Sequence, residues 1–130
     1  MPVRNIPTRL ATGAYILHEG LQKWGADEER AKALHARASE TFPVLAELSP
    51  AQFLRRLALA EITLGTALLL PFVGNKLAGL GLAAFSGGLL TVYWRTPSMH
   101  KPGSIWPTRE GMALSKDVWM LGIALGLLAD

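Results

Sequence analysis

Hydrophobic and polar positions fall into blocks along this chain rather than alternating evenly. Leu57 to Val73 contains one charged residue, Glu61, and Leu77 to Trp94 contains none. Runs of 17 and 18 residues extend about 25–27 Å as helices, close to the thickness of a bilayer core. Their edges are marked. Ser49-Pro50-Ala51-Gln52 is a helix start, with Ser as N-cap, Pro at the first helical position and Gln closing a capping box. Pro71 disfavours continuation, and Gly74-Asn75-Lys76 is a tight turn that makes the two runs antiparallel neighbours. Tyr93-Trp94-Arg95 is an aromatic-plus-cation signature of a membrane interface.

Two further segments have helical character. Thr8 to Trp24 is apolar but acquires polar groups near its end, and Gly25 stops it. The last stretch, from Glu110 to Ala129, carries Gly122 and Gly126 at the GxxxG spacing of close-packed helices. Between the first two segments, Asp27 is placed to cap a helix reaching Thr41, with Glu28 and Glu29 early and Lys32 and Arg37 later, as the helix dipole favours. Thr96 to Arg109, rich in proline, reads as an ordered loop without regular structure. The pattern predicts an all-α integral membrane four-helix bundle, one domain over residues 1–130. Its helices lie at about 8–24, 50–70, 76–94 and 110–129, with a short amphipathic or surface helix at about 27–41. A soluble bundle with fully buried helices is the competing architecture.

Composition narrows the chemistry. Half of the 130 residues are apolar and 18% are charged, which is oily for a soluble domain. There is no cysteine, so disulfides, thiolate metal sites and thiol redox chemistry are excluded for this chain. Leu10 to Leu17 ends in His-Glu without a small-residue cleavage site, so the segment is expected to be retained rather than removed as a signal peptide. The pI near 9.6 does not indicate nucleic acid, because the cations cluster beside the apolar runs, where they meet lipid head groups. With four spans, the long connections share one side and hold 10 of the lysines and arginines, against 3 on the other. The positive-inside rule then predicts a multi-pass protein of the cell (inner or plasma) membrane with its long loops in the cytoplasm.

The candidate chemistry centres on Tyr15-Ile-Leu-His18-Glu19-Gly-Leu-Gln22-Lys23-Trp24. On a helical wheel Ala11, Tyr15, His18, Glu19, Gln22 and Lys23 share a sector of roughly 140°, with Leu10, Leu17, Leu21 and Trp24 opposite. Polar groups in a dry environment need partners. Glu61, in the second span, lies at a similar depth, roughly 8 Å below the same surface from the rise per residue. Lys116 and Asp117 enter from that side. The sequence predicts one polar cluster in the long-loop half of the bundle and an otherwise apolar opposite half. Two readings stay open. In one, Glu19 and Lys23 form a structural i,i+4 ion pair, with Glu61 bonded to His18 or Gln22. In the other, Glu61 and His18 are catalytic candidates that exchange protons or hold a quinone oxygen, with Glu19, Gln22 and Lys23 completing the binding cluster. One histidine and two carboxylates are thin for a metal, and none is predicted; His35 and His100 read as surface residues. No nucleophile elbow, P-loop or dinucleotide fingerprint is present.

Leu-His18-Glu19-Gly20-Leu-Gln22-Lys23 resembles the first-helix signature of the DoxX family of four-helix membrane proteins. Ala60-Glu61-Ile-Thr-Leu-Gly65 is similar to that family's second-helix glutamate–glycine motif, and Lys116-Asp117 to Leu128 resembles its closing helix. The charged stretch from Ala26 to Glu40 and the loop from Pro97 to Pro107 depart from the family's pattern. The resemblance implies a small membrane subunit of a redox complex, by analogy with an archaeal thiosulfate:quinone oxidoreductase subunit and with actinobacterial members tied to oxidative-stress complexes. Partners would be the bilayer and other protein subunits, not nucleic acid. The alternatives are a non-catalytic anchor that recruits a partner enzyme, through the helix around Ala31 to Ala38 and the Trp106 loop, and a carrier of small solutes or lipids.

Overall fold

The computed structural model describes residues 5–25, 27–109 and 111–130. It is helical throughout: α1 (Ile6–Trp24), α2 (Glu28–Thr41), α3 (Pro50–Leu69), α4 (Asn75–Arg95), a single turn α5 (Met112–Ser115) and α6 (Asp117–Ala129). No strand occurs among the described residues beyond one isolated bridge, His100 to Pro107. The helix starts follow the sequence signals. Ser49 Oγ accepts from Gln52 N–H while Gln52 Oε1 accepts from Ser49 N–H, completing the capping box of α3. Asp27 accepts from the Arg30 N–H at the start of α2.

The helices pack as two antiparallel pairs. α1 lies along α3, with Gly13 beside Gly65 and Gly20 beside Ala58 and Ile62. α4 lies along α6, with Gly79 against Ala124 and Leu127. Both close approaches depend on glycine. A Cβ on Gly65 would stand 2.6 Å from Leu17 N and 2.8 Å from Gly13 O, which are backbone atoms that cannot step aside. The pairs meet in a core of Ile16, Leu68, Ala78, Leu82, Ala124 and Leu127. α2 packs across α3 near its start, with the His35 ring 5.5 Å from that of Phe53 and its Nε2 donating to Leu45 O at 2.8 Å.

Several expectations are corrected here. The face that α1 buries is neither its polar sector nor its leucine side. It is the stripe Arg9, Gly13, Ile16 and Gly20, between them, because only the glycines let two backbones approach. The tight turn at residues 70–74 reverses the chain as expected, but α3 and α4 splay apart and leave an apolar groove between Leu59, Ala67, Leu77 and Phe85. The fourth helix is not continuous from Glu110, which lies outside the described residues. After the turn at Met112–Ser115 the chain breaks at Lys116, and α6 has 13 residues. Gly122 and Gly126 meet nothing within 4 Å, so their spacing serves no contact within the chain. The loop after α4 is more regular than expected. It forms a 3₁₀ turn at Pro97–Met99 and a small hairpin in which Lys101 N–H donates to Trp106 O and Thr108 N–H to Met99 O.

Among the described residues one helix, α4, is long and apolar enough to cross a membrane, and 33% of its apolar 18-residue stretch is buried in the protein. α6 is apolar but shorter.

Candidate functional site

The predicted polar cluster forms in part. Lys23, on the last turn of α1, places Nζ 3.0 Å from Glu61 Oε1 and 3.4 Å from Glu19 Oε2. Glu61 is held by its place on the buried face of α3, between Ala58 and Gly65, and its side chain is 5% exposed. Lys23 is 11% exposed and Glu19 35%. Asp117, at the start of α6, lies within electrostatic reach of Glu61, Lys23 and Glu19. The cluster therefore joins three helices at the long-loop end, with more carboxylates than cations. A buried charge is tolerable only when paired and hydrogen-bonded, and Lys23 supplies that partner to Glu61.

His18 and Gln22 do not join it. Both are exposed. On the wheel His18 lies almost diametrically across α1 from the stripe of Arg9, Gly13, Ile16 and Gly20. The packing of α1 on α3 divides the predicted polar sector: Lys23 and Glu19 border the contact, while Ala11, Tyr15, His18 and Gln22 face outward. A proton exchange between Glu61 and His18 has no geometric basis in this arrangement. No group of three or more histidine or acidic ligands with metal-binding geometry occurs among the described residues. His35 sits within α2 rather than on a free surface, and His100 stacks on Trp94 with centroids 4.8 Å apart while its Nε2 donates to Trp94 O.

A second polar centre lies at the opposite end, where an apolar half was expected. Arg9 is fully buried. Its Nε donates to Leu68 O at 3.0 Å, Nη1 to Val73 O and Asn75 Oδ1, and Nη2 to Ala67 O and Leu70 O. Ala67 O and Leu68 O lie in the last turn of α3, whose final carbonyls lack helical partners and where the helix dipole favours a cation; Leu70 O, which also accepts from Val73 N–H, and Val73 O belong to the turn to α4. Asn75 passes the contact on, donating from Nδ2 to Asp130 at 2.8 Å, and Asn5 reaches the same carboxylate oxygen. The one signal in the sequence was Arg9 recurring at i, i+4, i+7 and i+11 with Gly13, Ile16 and Gly20.

A cleft of about 400 Å³ opens where the end of α1 meets the starts of α2 and α3, lined by Lys23, Trp24, Asp27, Glu28, Lys32 and Arg55 among others. The Arg55 guanidinium lies 5.8 Å from the centre of the Trp24 ring. No family profile, curated protein or solved structure matches this chain. Of the motif residues read from the sequence, Lys23, Glu19 and Glu61 meet in space and His18 and Gln22 do not.

Proposed function

We propose that this chain is a multi-pass membrane subunit that works by assembling with other protein subunits, its bundle of α1, α3, α4 and α6 lying in the bilayer. One observation carries the reading. Near the two ends of α1 the charged side chains turn inward and are paired, Arg9 on the carbonyls of α3 and Lys23 on Glu19 and Glu61, while leucines of α1, α3, α4 and α6 point outward. Leu10, Leu21, Leu59, Leu77, Leu80 and Leu125 are all roughly half or more exposed. Arg55, Arg56, Arg95 and Lys116 lie at helix ends on the long-loop side, where they would face cytoplasmic head groups.

The family likeness supplies the setting, a membrane redox complex, quinone-linked or concerned with oxidative stress. Within it the Lys23–Glu61 pair fixes α1 on α3, and partner recognition falls to α2 and to the hairpin carrying exposed Ile105 and Trp106. The test is purification from native membranes in mild detergent with mass spectrometry of what remains bound. The reading expects a stoichiometric protein partner that is lost when Glu28 to Ser39 is deleted. A stoichiometric quinone with no protein partner would reject it.

A second reading follows from Asp117. With Glu61 and Lys23 it gives a quinone head group two carboxylates and an ammonium at one end of the bundle, without His18. Under that reading Glu61→Gln leaves expression intact and lowers quinone-linked turnover of the parent complex; under the first, turnover is unchanged.

A further inference from the structure

The cleft between α1, α2 and α3 has a charge arrangement that selects its ligand. Of its three cations, Lys23 is committed to Glu19 and Glu61. That leaves Lys32 and Arg55 facing Asp27 and Glu28, two positive and two negative groups around one opening. Lys32 and Glu28 touch only through an exposed i,i+4 contact of 3.4 Å, the weak kind that a better partner displaces. Asp27 spends one oxygen on the N–H of Arg30 and keeps acceptor capacity on the other. A purely anionic ligand would sit against two carboxylates, and a purely cationic one against a lysine and an arginine. A zwitterion satisfies both sets.

We propose that this cleft binds the phosphoethanolamine head group of a membrane phospholipid. The inference rests on the membrane reading, under which Trp24 and Arg55 lie at the interface level. Arg55, held over the Trp24 ring, presents its fork of N–H donors to phosphate, and Lys32 adds a point charge. The primary ammonium, with three N–H donors, goes to Asp27 and Glu28. A trimethylated ammonium has no such donor, and the Trp24 face that would otherwise take it is already covered by Arg55. The cleft therefore favours ethanolamine over choline lipids, and both over lipids with an anionic head group alone.

The test is native mass spectrometry of the detergent-purified full chain titrated with phosphatidylethanolamine, phosphatidylcholine or phosphatidylglycerol. One bound phosphatidylethanolamine per chain is expected, at least tenfold tighter than the other two. Arg55→Gln should weaken it about tenfold. The pair Asp27→Asn and Glu28→Gln should erase the preference over choline while leaving α2 intact, since asparagine also caps helices. Equal binding of all three lipids, or no effect of Arg55→Gln, overturns the proposal. So does competition by soluble phosphoethanolamine at the same affinity, which would make the ligand a free solute. Resistance of the wild-type chain to alkaline extraction from membranes is scored separately. Failure there removes the membrane reading, whereas retained insertion with no lipid preference removes the head-group site alone.

Discussion

Arg9 meets five acceptors, four of them carbonyls at the end of α3 and the turn beyond it. Lysine, with one compact ammonium, cannot fan across that set. Replacing Arg9 with Met strands several carbonyls, and at roughly 1–3 kcal/mol for a buried unsatisfied group the loss should be about 3 kcal/mol, with Arg9→Lys recovering only part. Thermal unfolding in detergent measures both, and a Tm for Arg9→Met within one degree of wild type would remove Arg9 as a helix lock. The Lys23–Glu61 pair separates glue from chemistry in a similar way. Glu61→Ala leaves a buried ammonium short of its nearest partner and should cost about 3–5 kcal/mol, whereas Lys23→Met with Glu61→Leu should be close to neutral. If that double variant is as stable as wild type and still assembles with its partners, the pair is structural. If it is stable but the parent complex loses turnover, the second reading gains.

Among the helices, the contrast between two kinds of glycine decides which sequence motifs matter. Gly65 lies where the backbones of α1 and α3 touch, and Gly65→Ala should destabilise by about 2 kcal/mol because backbone on the facing helix must shift. Gly122 faces open space, so Gly122→Ala should do no harm and gain up to about 1 kcal/mol from helix propensity. Urea unfolding of both variants checks this, and a larger loss at Gly122 would mean that α6 packs against a second chain. The sequence carried both patterns, but only the GxxxG of α6 has a familiar name. The Arg9-Gly13-Ile16-Gly20 stripe was the one used, because packing follows which backbones can approach, not which spacing recurs.

Across the whole bundle, the start of α1, the turn between α3 and α4 and the end of α6 gather at one end, where Asn5, Asn75 and Asp130 are joined by hydrogen bonds. The other end collects α2, the 97–109 hairpin and all four tryptophans, Trp24, Trp94, Trp106 and Trp119, each more than half exposed. Under the proposed membrane placement, that asymmetry would form an interface belt beside cations on one leaflet. Single cysteines at Ser98 and Lys76 should then react with an impermeant thiol reagent from opposite sides of a sealed vesicle, Ser98 from the cytoplasmic side. Reaction of both from one side would reject the bundle as a spanning unit.

The sequence alone determined, to within a residue, where α2, α3 and α4 begin and end, because those signals are local. A serine, a proline and a glutamine within four residues cap α3 wherever it goes, and the uncharged run from Leu77 to Trp94, following the turn at Gly74, forms α4. It also placed His18, Glu19 and Glu61 at one depth, since depth needs only rise per residue and chain direction. Rotation about each helix axis was not legible. A shift of one position turns a face by about 100°, and the close-packed glycines of α1 and α3, not the polarity of the sector, set that angle. Tertiary structure alone therefore turned His18 and Gln22 outward, buried Arg9 against α3's carbonyls, and opened the cleft where three helix ends meet.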